Sequence, residues 1–576
     1  MTPGIPIVLE LGKPLAGMAR AIEARALERR TRADIDALLR RLGLDSDVGV
    51  EVKPVASTRP VRVRVHDELQ PYSPNLMLRA WLAVAPPELR SLPTTAVVIP
   101  ASGFPTCWLT GYVEEIARSP VPDWSLAAAF VERLALQTVM KHPSCLLDDA
   151  QLERYATRID APLAEVEAVL PALLELGVSV TDDELVKELL LEGRQIQRTL
   201  DDTVEAIFIE LRSHRVEIHV NSGTLSALFR DCPNAPFSVY DPVVGDRKWP
   251  FEQMEQTFFA TFGFRLPRLE WVPSPALPPE TVAVKIDAWW SLPLPMLPRG
   301  QRLVNAPPDV LRDFDARVGL HPLSGEPCAL VEDRFKDTLE SVQIETWGPV
   351  DFVSLSVLAE LSRRPARLLG IEDVEYQLAQ LQEIGFNQLV DVTLARYTLG
   401  ELTRVFRALL DERLSLRDLR GLLERLVQFD VLEPRSDELD ILDERLPVTN
   451  GGHHKAGCLS HYAFLRRQLQ GYLSHKYTWH ANTIVAYTLD PRLESRMRGS
   501  SKPLDDDEVE AVRDAVWTEL QSLPPSPYGQ VLLTASPARE AVRRLFAPEL
   551  PDLPILSRSE LRRDATIQSV ATITLT

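Results

Sequence analysis

The sequence predicts an α+β multidomain protein: two tandem copies of a small β-rich α/β unit with a helical appendage, then a helical subdomain and a C-terminal α/β subdomain. The first observation is an internal repeat, because Pro322–Pro327 aligns with Pro100–Pro105 and Arg363–Leu369 aligns with Lys141–Leu147. Both pairs share one offset of 222 residues, from position 100 to 322 and from 141 to 363, which indicates a repeated structural unit. The second observation is the length of 576 residues, too great for one hydrophobic core.

Matching strands are predicted near the start of both copies. Ile5–Leu11 carries apolar residues at alternate positions, and Val216–Val220 repeats that pattern, as a half-buried strand requires. Val61–Val65 alternates Val with Arg, and its counterpart in the second copy is Thr281–Asp287. Helices follow these strands in both copies, and we expect the copies to diverge after about residue 177.

Five segments make up the predicted domain organisation. The helical subdomain carries two apolar stripes at helical spacing, within Leu402–Leu410 and Leu419–Val427. A polar stretch with Gly residues follows and is typical of a linker, and alternating strand and helix patterns then predict an α/β layer. The predicted segments are a truncated first copy (1–210), the second copy (211–400), the helical subdomain (401–431), a linker loop (432–460) and the C-terminal α/β subdomain (461–576).

Composition favours an ordinary globular protein that does not bind nucleic acid. Apolar residues make up 45% and charged residues 25%, and the net charge of −19 repels phosphate backbones and anionic lipid. Five widely spread cysteines argue for a reducing compartment. The sequence shows neither a run long enough to span a bilayer nor a signal peptide, so we expect a cytoplasmic protein without a membrane span.

Three motifs carry a resemblance to a known family. Val531–Pro537 with Leu550–Ser557, the turn Thr488–Glu494, and the helical stretch Leu409–Leu423 resemble the cytoplasmic domain of the type III export-gate (FHIPEP) family. This family is called FlhA in flagella and SctV in injectisomes. The resemblance covers roughly residues 216–576 and implies a partial internal duplication ahead of it, without the block of membrane helices that begins the family's proteins.

The resemblance implies a non-catalytic function without a cofactor. In the family, the soluble part forms a cytoplasmic ring and docks chaperone–substrate complexes in a cleft between its first two subdomains. We therefore expect a docking or adaptor platform whose partners are export substrates, chaperones or export-apparatus subunits. By resemblance, the docking dimple maps onto Ala366, Leu369 and Gly400, although this chain keeps only the family's Gly370 there. The alternative is a ring or scaffold protein that no longer takes part in export and assembles through the helical subdomain.

Two further motifs leave alternatives open. His453, His454, Cys458 and His461 place four possible metal ligands within nine residues, and Zn²⁺ accepts such ligands. Their spacing matches no established zinc finger, so a solvated loop without metal is the other interpretation, and a metal-dependent enzyme is the weaker functional hypothesis. Trp289–Trp290 could anchor a protein partner if exposed, or pack in a core or at a sheet edge.

Overall fold

The computed structural model describes most of the chain, and its described residues are 5–16, 21–45, 48–56, 61–72, 76, 80, 98–99, 104–105, 124–211, 215–221, 250–297, 300–323, 327–429, 455–478, 483–497, 504, 506–522, 531–547, 550 and 553–574. These residues divide into two units. Residues 1–98 and 105–368 belong to the first unit, and residues 99–104 and 369–576 belong to the second. Among the described residues, none of the helices combines the length and apolarity needed to cross a bilayer.

The first unit begins with a mixed sheet and a row of helices, residues 5–211, which we call the first module. Its sheet has the order β2-β1-β3-β4, with β1 parallel to β2 and antiparallel to β3. Helices α2 and α3 pack against each other beside this sheet. The elements are β1 (Ile5–Leu11), α1 (Lys13–Ala16), α2 (Ala21–Leu42), β2 (Val48–Pro54), β3 (Val61–Val65), β4 (Glu68–Gln70), β5 (Val98–Ile99), β6 (Phe104–Pro105), α3 (Trp124–Lys141), α4 (Asp149–Ile159), α5 (Leu163–Glu175), α6 (Asp183–Gln195) and α7 (Leu200–Leu211).

Residues 215–427, which we call the second module, open with a sheet of the same strand order. This sheet runs β10-β9-β7-β8, with β7 parallel to β8 and antiparallel to β9. A short strand, β11, also pairs with β9, and helices α8 and α10 pack against each other as α2 and α3 do. The elements are β7 (Arg215–Val220), α8 (Pro250–Phe262), β8 (Arg268–Pro273), β9 (Thr281–Ile286), β10 (Trp289–Trp290) and β11 (Leu294–Pro295), followed after the next sheet by α10 (Pro349–Ser362) and α11 (Pro365–Leu368).

A small antiparallel sheet is inserted in the second module between β11 and α10. Its strand order is β13-β14-β12-β15, and its core is formed by Val304, Leu311, Ala329, Val331 and Leu339. The elements are β12 (Gln301–Val304), β13 (Arg317–Leu320), β14 (Pro327–Glu332), α9 (Lys336–Ser341) and β15 (Thr346–Trp347).

Turn geometry repeats between the two modules. Gly43 follows α2 with φ +84° and Gly263 follows α8 with φ +85°, a left-handed conformation that glycine adopts at helix C-termini without a steric penalty. The hairpins after β3 and β9 both have two-residue turns, in which His66 and Asp287 each have φ 50°. Pro143–Leu146 and α11, which lie 222 positions apart, both form a single short helical turn.

The helices that follow also keep the same packing partners. In the first module, α4 packs on α5 and α6, and α5 packs on α7. In the second module, α12 packs on α13 and α14, and α13 packs on α15. We predicted divergence after about residue 177, but the helical arrangement continues to the end of α7. The elements are α12 (Ile371–Glu383), α13 (Asn387–Leu394), α14 (Leu399–Asp411) and α15 (Leu419–Val427).

The C-terminal part of the second unit is a parallel α/β layer. Its strand order is β18-β17-β16-β19, and the described pairs are parallel. Buried apolar side chains, including Tyr487, Val512 and Phe546, form its core. Helix α16 begins at Lys455, within the segment predicted as a linker loop. The elements are α16 (Lys455–Gln468), α17 (Gln470–Tyr477), β16 (Thr483–Leu489), α18 (Pro491–Met497), α19 (Asp506–Ser522), β17 (Val531–Thr534), α20 (Arg539–Phe546), β18 (Ile555–Ser557) and β19 (Thr566–Ile573).

Candidate protein-docking site

The three residues predicted to line a docking dimple are buried. Ala366 is 7% exposed and lies on α11 in the first unit. Leu369 is fully buried, and Gly400 is buried in the first turn of α14; both belong to the second unit. A partner therefore cannot touch the Leu369 side chain without a rearrangement, and these residues can support a docking surface only from beneath.

Capping interactions hold Leu369 and Gly400 in place. The Gly370 amide, next to Leu369, donates to Asp373 Oδ2 at 2.7 Å and so begins α12. Thr398 and Glu401 form a capping box around Gly400, in which the Thr398 amide donates to Glu401 Oε2 at 2.8 Å. The Leu369 carbonyl accepts a hydrogen bond from Arg407 Nε of α14 at 3.0 Å, which connects the two buried positions.

The surface beside these positions is unusually apolar. Large apolar side chains are exposed on α12, on α13 and in the turn between them, and Ile384 in that turn is 70% exposed. Exposed apolar side chains that share one surface mark sites of protein interaction more often than isolated ones do. The residues are Tyr376, Ile384, Val392 and Leu394; we call them the α12–α13 surface.

The two predicted stripes of the helical subdomain are core and not surface. Leu402, Phe406 and Leu409 of α14, and Leu422 and Leu423 of α15, are almost completely buried within the chain. They stabilise the second unit from inside, so these side chains are not available for assembly with another molecule.

The predicted metal motif divides between described and other residues. His453 and His454 lie outside the described residues, while Cys458 and His461 lie on the backbone of α16. The ring of His461 packs against Phe429 and Tyr397, with ring centroids 4.2 Å and 5.2 Å apart. Within the ranges that the structure covers, no three His, Cys, Asp or Glu side chains are grouped to hold a metal ion.

The tryptophan pair packs inside the first unit. Trp289 is 4% exposed, and the guanidinium of Arg364 lies 4.4 Å from the centroid of its ring. Trp290 is partly buried, with its ring 4.3 Å from the ring of His219. Of the two interpretations of this pair, packing in the fold is therefore the correct one.

The neighbour of Trp289 is the first module. The Ala288 amide donates to the Gly177 carbonyl at 3.0 Å, Gln137 Nε2 donates to the Trp290 carbonyl at 3.3 Å, and Arg367 donates to the Lys141 carbonyl at 3.1 Å. We call this contact the module joint. The end of α5 thus lies on the β9–β10 hairpin and on α11.

Charge adds to the module joint at Glu175. Burial raises the pKa of this carboxyl, but the hydrogen bond and charge of His142, the charge of Arg367 and a hydrogen bond from Ser144 outweigh it and lower the pKa to about 2. The carboxylate is consequently ionised at neutral pH and lies close enough to Arg367 for the two charges to interact across the joint.

A buried ionic network lies in the second unit. Arg466 of α16 is 1% exposed and donates to Glu560 Oε1 at 2.6 Å and to Glu412 Oε2 at 2.8 Å. Arg539 of α20 pairs with Glu412 and, at 3.1 Å, with Glu560. The network therefore connects the end of α14 to the C-terminal α/β layer with two acids and two bases.

Charge balance explains how the network tolerates burial. Burial alone would raise the pKa of Glu412, but Arg466, Arg539 and Arg543 together hold it below its usual range. For Arg539, burial would lower the pKa, and Glu412 and Glu560 raise it above its usual value. Buried charges that are paired and hydrogen-bonded in this way persist, whereas an unpaired one would not.

Taken together, a parallel α/β layer tied to a helical subdomain, preceded by two sheets of like topology and an apolar helical surface, defines a multidomain protein built for contacts with other proteins. The chain belongs to the FHIPEP family, the type III export-gate proteins, and it matches that family over residues 248–566.

Curated relatives and a solved structure agree with this family. The chain is 24% identical to the low calcium response locus protein D of Yersinia pestis over 265 residues, which are 45% of this chain and 34% of that protein. It is 22% identical to the flagellar biosynthesis protein FlhA of Bacillus subtilis over 262 residues, 44% of this chain and 36% of that protein. The match thus spans about a third of the length of these relatives. The structure of the Chlamydia pneumoniae CdsV protein shares the fold, with 24% identity and a TM-score of 0.50, and the match covers 62% of this chain and 97% of that one.

Proposed function

We propose that this chain is a non-catalytic docking platform for proteins of a type III export apparatus, and that it acts in the cytoplasm. The observation that carries the proposal is the FHIPEP match over residues 248–566. The likeness in fold to the CdsV protein, which covers 97% of that chain, supports it. Its partners would be export substrates, their chaperones or subunits of the apparatus.

The α12–α13 surface is the part of the molecule that we assign to docking. Its exposed apolar side chains lie beside Leu369 and Gly370, where the resemblance places the family's docking dimple. Because Leu369 is buried, the proposed partner binds the exposed side chains of this surface, with Ile384 at its most exposed point.

A binding experiment with the tagged full chain tests this assignment. Chaperones, substrates and apparatus subunits from the native organism are offered individually, and Ile384→Asp is compared with Val310→Asp. Val310 is a matched control, because it is 68% exposed against 70% for Ile384 and lies on the inserted sheet domain. Neither change should alter stability by more than about 0.5 kcal/mol, since both side chains are on the surface.

The expected result is a specific export component that binds the wild type and Val310→Asp alike, and binds Ile384→Asp at least tenfold more weakly. A tenfold loss corresponds to about 1.4 kcal/mol of binding free energy, as expected for one apolar contact at the centre of an interface. Equal binding by both variants rejects the α12–α13 surface, and no binding by any export component rejects the docking function.

We also infer that the two modules descend from a duplication. The common strand order, the glycines at the ends of α2 and α8 and the shared packing of the four following helices support this inference. An experimental structure in which residues 5–70 and 215–290 follow unrelated paths would reject it.

A further inference from the structure

The module joint is a contact between two like modules through unlike surfaces. The first module contributes the end of α5 with Gly177, and the second contributes the β9–β10 hairpin with α11. A contact of this kind is heterologous, and repeated between separate molecules it generates rings or open chains. In this protein, however, both partners of the contact belong to one polypeptide.

The first module does not offer the same surface in return. In the β3–β4 hairpin, Glu68 and Leu69 occupy the positions that Trp289 and Trp290 occupy in the β9–β10 hairpin, as the strand registers show. With the 222-residue offset, His142 and Cys145 stand where Arg364 and Arg367 stand. The aromatic and guanidinium groups of the joint are therefore confined to the second module.

We propose that the first module is a built-in cap, which covers the Trp289 surface of the second module within one chain and thereby keeps the protein monomeric. The capped surface consists of Trp289, the Ala288 amide, Arg364 and Arg367, and it fits the end of α5 of a first module, whether from the same chain or from a second copy. Because the first module lacks an equivalent surface, association cannot continue beyond the cap.

Charge reversal across the joint provides a test with the full chain. In Glu175→Arg, two cations face each other across the joint, and in Arg367→Glu two carboxylates do so. When the two variants are mixed, however, Arg at position 175 of one molecule can pair with Glu at position 367 of the other. The double variant restores the pairing within one chain.

The proposal predicts a distinct oligomeric state for each sample in analytical ultracentrifugation at micromolar concentration. Wild type, each single variant and the double variant sediment as monomers, whereas the mixture of single variants forms a one-to-one heterodimer. Glu167→Arg is the control partner for Arg367→Glu, since Glu167 is exposed on α5, and this mixture should remain monomeric.

Hydrogen exchange at the Ala288 amide gives a second readout that does not depend on association. This amide donates to Gly177 across the joint, so it should exchange at least tenfold faster in each single variant and return towards the wild-type rate in the double variant and in the mixture. Oligomeric wild type, a mixture that stays monomeric, or unchanged exchange in both single variants would overturn the proposal. None of these results depends on whether the chain binds an export component.

Discussion

Removal of Arg466 should strongly destabilise the second unit, because it leaves the buried acids of the ionic network undercompensated. In Arg466→Met, Glu412 and Glu560 lose bonds of 2.8 Å and 2.6 Å, and Arg539 alone must balance two carboxylates. Removing one partner of a buried ion pair costs about 3–5 kcal/mol. For a unit of roughly 200 residues, each kcal/mol shifts Tm by about 2–4 °C, so the expected decrease is on the order of 10 °C.

Differential scanning calorimetry at pH 7 measures this decrease. Arg420→Met is the matched control, because Arg420 forms a 2.8 Å pair with Glu424 on the exposed face of α15, and exposed pairs contribute at most about 1 kcal/mol. Adding Glu560→Gln to Arg466→Met removes one uncompensated carboxylate and should recover part of the lost Tm. If Arg466→Met lowers Tm no more than Arg420→Met does, the network has no structural role of the kind argued.

Three further predictions concern pH and backbone conformation. Because the pKa of Glu412 is lowered from its ordinary value of 4.5, its contribution to stability is complete above that value and is lost as the pH falls through the folded-state pKa; denaturant midpoints between pH 6 and 3 should fall less steeply in Glu412→Gln, which is itself less stable at pH 7. Burial and the charges of Arg413 and Arg466 lower the pKa of Lys476 from 10.5 to about 8, so the folded chain releases this proton first and stability should rise between pH 8 and 10.5; an equal slope in Lys476→Met would contradict this. Gly177→Ala should lower the free energy of unfolding by about 1 kcal/mol, since φ is +80° there, whereas Gly471→Ala in the open interior of α17 should stabilise by several tenths of a kcal/mol in the same denaturation assay.

Periodicity and the repeat carried most of the fold prediction. Val61–Val65 alternates so regularly that its strand, and the matching strand at Thr281, could be assigned from the residues alone. The shared offset located the short helices at Pro143 and Pro365 before any coordinates were known. Local patterns were sufficient because these elements are determined by their own residues.

Features formed by distant residues were beyond the reach of sequence patterns. Arg466 and Glu560 pair across 94 positions, and neither residue stands in a motif that announces its partner. The module joint uses the carbonyls of Gly177 and Lys141, and a carbonyl leaves no signal in residue type. The start of α16 was missed because Gly457 and its polar neighbours are typical of a loop, while packing against α14 and α15 favours a helix.

The apolar α12–α13 surface could have been found from the sequence. Ile384, Val392 and Leu394 interrupt an otherwise polar stretch, and they do not continue the buried stripe to which Val390 belongs. Apolar residues away from the buried face of a helix are the signal for such a surface. The burial of Leu369, in contrast, depends on Arg407 and the cap of α14, which only the three-dimensional structure shows.

The order of synthesis separates the two ends of this chain in time. The first sheet needs nothing beyond residue 70, so it can close while most of the polypeptide is still unmade. In the C-terminal layer, the early strand β16 pairs on one side with β19, from Thr483 opposite Thr566 to Leu489 opposite Ile573. One edge of β16 therefore stays open until some eighty later residues have emerged, and nascent chains should expose it to chaperones during that interval.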